Sequence, residues 1–125
     1  MFVRAIRGAI TVLENTKDSI LEGTRELLVE IIKRNDLNET DVISVLFTVT
    51  SDLNATFPAI AAREIGLNEV SLMCTSEINV PGSLKSCIRV MIHVNTEKSN
   101  SEIKHVYLKG ATILRPDLSD ISSCQ

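Results

Sequence analysis

From Cys87 to Val94 the sequence alternates without a break: Ile88, Val90, Ile92 and Val94 on one register, Cys87, Arg89, Met91 and His93 on the other. A period of two belongs to an extended strand, whose successive side chains point to opposite faces. The segment is therefore committed to a sheet with one apolar face, and Arg89 is sent to the other. A fold for this chain must cover the first face and find a use for the guanidinium on the second.

The cover lies upstream. Ile20, Leu21, Leu27, Leu28, Ile31 and Ile32 recur at three- and four-residue steps behind a cap at Asn15 or Thr16. That spacing predicts an amphipathic helix of about five turns. Residues 2–12 are β-branched and apolar, interrupted by Arg4 and Arg7, and read as a strand. Residues 34–41 are a polar loop, and Val42–Val49 is an almost continuous apolar run that suits a strand buried on both faces. Pro58 stands at the first position of a short second helix ending near Gly66. Residues 69–74 and 104–114 read as further strands, with a turn at Pro81-Gly82 and a polar loop over 95–102. Pro116 ends the last strand, and residues 119–125 are expected to be a mobile tail.

The order strand, helix, strand, helix, then three strands predicts an α+β fold: a mixed β-sheet with two helices on one face. Residues 1–118 form one domain, as expected for 125 residues in all. The second sheet face has no helix left to cover it, so a second copy of the chain is expected there.

Composition excludes several partners. Thirteen Lys and Arg against sixteen Asp and Glu give a net charge of −3, which offers no field for nucleic acid or anionic membrane. Phe2, Phe47, Phe57 and Tyr107 are the only aromatics, too few for a base-stacking platform. Arg4 and Arg7 break the N-terminal apolar stretch as a signal, and no run reaches the ~20 residues of a membrane span. Cys74, Cys87 and Cys124 are odd in number and lack metal-ligand spacing, which points to a reducing, cytoplasmic setting.

Nucleotide-binding glycine loops, nucleophile elbows and zinc helices are absent from the sequence. His93 and His105 are isolated, and Cys74 and Cys87 read as small buried hydrophobes. What remains is a set of arginines: Arg7 and Arg89 on strands, Arg63 on the short helix and Arg115 after Leu114, with Tyr107 on the face of His105 and Lys109. Any one alone reads as a solvated ion-pair partner. Together, guanidinium groups beside apolar strand neighbours suit a carboxylate-binding site, because they offer paired donors and keep their charge when desolvated.

Five ordered segments carry a more specific likeness: residues 3–9 (VRAIRGA), 52–59 (DLNATFPA), 74–77 (CTSE), 82–91 (GSLKSCIRVM), and 105–108 (HVYL) with 114–118 (LRPDL). In these the chain resembles the trimeric mixed α/β class of monofunctional chorismate mutases, distinct from the all-helical class. The resemblance implies the pericyclic rearrangement of chorismate to prephenate, with no metal and no cofactor. It also implies a homotrimer with a pseudo-barrel of packed sheets and sites in the clefts between subunits.

By position, the resemblance places Arg89 at the breaking ether oxygen and Arg7 and Tyr107 on a substrate carboxylate and side chain. Glu77 receives the ring hydroxyl proton, with Cys74 beside that hydroxyl. Phe57, Ala59, Met73 and Leu114 line the pocket, and Arg63 and the tail lie near the ring carboxylate at its mouth. The sequence departs from the family at Ile60, where relatives often carry lysine, and in a turn one residue short over 66–68. Two alternatives remain open at this point: a trimeric enamine/imine deaminase, and a trimeric module that binds a small anion without turnover.

Overall fold

The computed structural model describes residues 1–114. Arg115, Pro116, the expected tail and Cys124 lie outside the described residues. Strand β1 (Phe2–Thr11) leads into helix α1 (Lys17–Arg34), β2 (Val42–Val49), helix α2 (Ala59–Glu64), β3 (Ser71–Ser76), β4 (Cys87–Thr96) and β5 (Val106–Leu108). The five strands form one sheet in the order β3-β2-β4-β1-β5. The central pairs β2–β4 and β4–β1 are antiparallel, and the outer pairs β2–β3 and β1–β5 are parallel. The expected mixed sheet and chain order both hold.

Thr16 starts α1: its hydroxyl accepts from the Ser19 N–H at 3.1 Å, satisfying one of the orphan donors of the first turn. Asp18 in the first turn and Lys33 and Arg34 in the last complement the helix dipole. The α1 stripe of Ile20, Leu27, Leu28 and Ile31 packs with Ile6 and Ile10 of β1, Val45 and Phe47 of β2, Ile88, Val90, Ile92 and Val94 of β4, and Ala59 and Ala62 of α2. Both helices thus share one sheet face with a single aliphatic core. No helix among the described residues is long and apolar enough to cross a membrane.

Three features differ from the sequence reading. β2 is covered on one face only: Val45 and Phe47 are buried, while Leu46 is exposed and Ser44 and Thr48 are half-buried on the other side. Continuous apolarity over-reads here because both helices lie on one sheet face, so only alternate residues of β2 are covered, and a register shift between Val42 and Ser44 also leaves Ile43 exposed. β3 begins at Ser71 and runs to Ser76, set by its parallel pairing with residues 44–49 of β2. The last strand is the largest change, because β5 stops at Leu108. Lys109 adopts a left-handed φ of 54°, and a 3-10 turn carries Lys109–Leu114. The Gly110 N–H then donates to the Thr11 hydroxyl at 2.9 Å, and a Cβ at position 110 would sit 2.8 Å from that oxygen.

Candidate active site

The face of the sheet away from the helices carries Arg7, Ser44, Thr48, Arg89 and His93. Strand pairing sets Thr48 opposite Arg89, Arg89 opposite Ala9, and Ala9 opposite Tyr107. One transverse row therefore runs Thr48, Arg89, Ala9, Tyr107 across β2, β4, β1 and β5. The adjacent row places Leu46, Met91 and Arg7 side by side. Glu77 follows the end of β3, and its N–H donates to the Val49 carbonyl at 2.8 Å, extending the β2–β3 ladder by one step.

These residues enclose a cleft of about 290 Å³ lined by Arg7, Glu77, Arg89 and Tyr107 among others, with Leu46 and Met91 giving it an apolar wall. Glu77 Oε1 lies 3.5 Å from Arg89 Nη1, and Oε2 accepts from the Thr48 hydroxyl at 2.6 Å. The main-chain N–H of Arg7 donates to His105 Nδ1 at 3.0 Å, which fastens β1 to the approach of β5 beside Tyr107. Tyr107 is buried with Ala9, Cys87 and Ala111, and Leu114 packs on that cluster. Burial pushes the Cys87 thiol up to about 11, against the opposing pull of the Arg89 charge.

Four residues singled out from the sequence thus meet in one cleft, with Leu114 packed behind Tyr107. Five do not. Phe57 and Met73 are 68% and 66% exposed, and Arg63 is exposed in the last turn of α2. Ala59 is buried in the core, and Cys74 turns its half-buried side chain to the same core. Thr48, Leu46 and Met91 line the cleft without having been picked out. Their period-two position opposite the buried residues was readable; that they flank one another depends on a register between strands distant in sequence. On the same open face Ser44 Oγ and His93 Nδ1 are 3.2 Å apart. Among the described residues no cluster of His, Cys, Asp or Glu is placed to hold a metal ion.

A mixed sheet whose bare face gathers two guanidinium groups, a carboxylate and a phenol around an apolar wall defines an α+β protein with a donor set of the kind that suits a small carboxylate. Comparison with known proteins agrees and is more specific. The chorismate mutase type I family model matches residues 3–118. The chain is 47% identical over 120 residues to chorismate mutase AroH of Bacillus subtilis, covering 95% of this chain and 94% of that protein. It is 48% identical over 117 residues to chorismate mutase AroH of Thermus thermophilus, covering 93% and 96%. The solved chorismate mutase from Clostridium thermocellum superposes with a TM-score of 0.87 at 58% identity, covering 88% of this chain and 98% of that one. The chain belongs to the chorismate mutase type I family, and its activity is that of an isomerase. That assignment sets aside the deaminase alternative.

Proposed function

We propose that the cleft between Arg7, Glu77, Arg89 and Tyr107 is where this chorismate mutase turns chorismate into prephenate. The convergence of these four side chains, from β1, the end of β3, β4 and β5, carries the reading. The reaction is unimolecular: a C–O bond breaks as a C–C bond forms, and every atom of the substrate stays in the product. Its barrier falls when the substrate is held as the compact conformer and when charge growing on the ether oxygen is opposed.

In this reading Arg7 and Tyr107 hold a substrate carboxylate at one end of the cleft. Glu77 accepts a hydrogen bond from the ring hydroxyl at the other. Arg89 faces the ether oxygen, where a fixed cation is worth most because the negative charge there exists chiefly in the transition state. An arginine suits the task because its charge persists when water is excluded.

The cleft is open on its outer side, and we assign its closure to a neighbouring copy in a homotrimer. Val3, Leu46 and Met73 leave an apolar surface on the uncovered sheet face, which a second copy would bury. Phe57, Arg63 and Met73, exposed and outside the lining of their own chain's cleft, would then wall the cleft of the next. Ala59 and Cys74 face their own core, so their contribution would come through the main chain. A spectrophotometric assay following loss of chorismate and appearance of prephenate tests the site: Arg89→Ala should be slow, and full activity in that variant would overturn the assignment.

A further inference from the structure

We infer that Thr48 is the positioning residue that aims Glu77 and keeps Arg89 available to the substrate. The inference rests on the reading of Glu77 as the acceptor of the ring hydroxyl, and adds to it a residue that nothing in that reading requires.

The observation is the division of the Glu77 carboxylate. Oε2 accepts a hydrogen bond from the Thr48 hydroxyl at 2.6 Å, within the short range of a charge-assisted O–H···O bond. Oε1 stands 3.5 Å from Arg89 Nη1, beyond the usual N–H···O hydrogen-bond length. The strong contact of the carboxylate is therefore with the neutral threonine, and the contact with the cation is incomplete. Backbone geometry makes this a built arrangement: Thr48 pairs with Arg89 across the β2–β4 ladder, and its neighbour Val49 accepts the Glu77 N–H at 2.8 Å. Residues 48 and 49 thus hold Glu77 by both main chain and side chain.

Without the hydroxyl, a carboxylate on a flexible stem beside a half-buried guanidinium is drawn toward that charge. It closes on Arg89 and pairs with it through both oxygens, as carboxylates and guanidinium groups do. That would neutralise the cation needed at the ether oxygen and withdraw the acceptor needed at the ring hydroxyl. A single missing proton donor would impair both groups, although Thr48 itself need touch no substrate atom. Support of this kind fixes a reacting group to within a fraction of an ångström.

The experiment is a double-mutant cycle on the full-length protein with chorismate as substrate. Thr48→Val keeps the β-branched shape and removes the hydroxyl; Thr48→Ser keeps the hydroxyl. Losing a hydrogen bond to a charged group should lower kcat about tenfold in Thr48→Val, with the melting temperature unchanged, and Thr48→Ser should stay within about twofold of the parent. In a Glu77→Ala background, Thr48→Val should cost nothing further. An equal loss in that background would mean the hydroxyl acts independently of Glu77 and would overturn the inference. Wild-type kcat and KM in Thr48→Val, with Glu77→Ala slow, would overturn it while leaving the Glu77 reading intact. Wild-type activity in Glu77→Ala would remove both. If the valine variant fails to fold, the contrast of Thr48→Ser with Thr48→Ala isolates the same hydroxyl.

Discussion

Arg89 and Tyr107 stand on one transverse row of the sheet with only Ala9 between them, since Ala9 pairs with Arg89 on one side and with Tyr107 on the other. Two strand spacings separate their backbones by about 9.5 Å. The methyl group between them is fully buried in a cluster with Cys87, Tyr107 and Ala111. A guanidinium and a phenol thus line one cleft from strands two spacings apart.

The sharpest prediction concerns Arg89. Its side chain is 41% exposed, so Arg89→Ala should change stability by less than about 1 kcal/mol. If the charge acts in the transition state, kcat should fall by about 10²–10³-fold, the loss typical of a single preorganised donor. Replacement by citrulline, which keeps the shape and hydrogen bonds while deleting the charge, should lose nearly as much. Steady-state kinetics paired with thermal melts read both quantities, and an unchanged kcat in both variants would defeat the proposed mechanism.

Assembly offers a second test. Native mass measurement should find three copies. Arg89→Ala and Arg63→Ala, each impaired alone, should recover part of their activity when unfolded together and refolded as a mixture. Mixed trimers would contain some clefts with both arginines intact. Equal activity in mixed and separate samples, or a fully active monomer, would place the whole site within one chain.

A third prediction follows from Asp52. Its carboxylate is held below the usual range by the Thr50 hydroxyl first, and by the main-chain N–H and hydroxyl of Ser86. Those contacts hold Ser86 at a left-handed φ of 53° immediately before β4. Because the folded-state pKa is depressed, the stabilisation is fully present above about pH 4 and is lost as pH falls through the lower folded value. Asp52→Asn should therefore melt below the parent at pH 7, and the gap should close as pH falls through the depressed folded value. A gap independent of pH would show that the charge is not involved.

Cys87 supplies the fourth. A thiol pushed up to about 11 by burial is almost wholly protonated at pH 8 and is a poor nucleophile. In the folded protein it should resist iodoacetamide under conditions that label it after denaturation, as peptide mass mapping would show. Rapid labelling of the native protein would mean that the cluster around Tyr107 opens readily.

Much of this was legible in the sequence, for identifiable reasons. The alternation over residues 87–94 placed Arg89 opposite the core, and the stripe from Ile20 to Ile31 located the helix that covers it. Both signals are periodic and local. Thr48 escaped because its importance arises from a hydrogen bond to Glu77, 29 residues away, and from a strand register that no local pattern encodes. The end of β5 escaped because a left-handed lysine at position 109, rather than a proline or glycine, turns the chain. Phe57 and Met73 are not among the residues that line the cleft of their own chain, and the proposed homotrimer would bring them to the cleft of a neighbouring copy.

Gly8 lies under the cleft with α1 pressed against its other side. A Cβ there would meet Ile31 Cδ1 at 2.8 Å, the Val106 carbonyl at 2.9 Å and Leu27 Cδ1 at 3.1 Å. The carbonyl belongs to the backbone of β5 and cannot move without carrying Tyr107 along. The cleft therefore cannot be reshaped from below, since any side chain at position 8 would push apart the two strands that frame it. A laboratory search for altered substrate range has its freedom at Leu46 and Met91 on the open wall, while the floor at position 8 admits no variation.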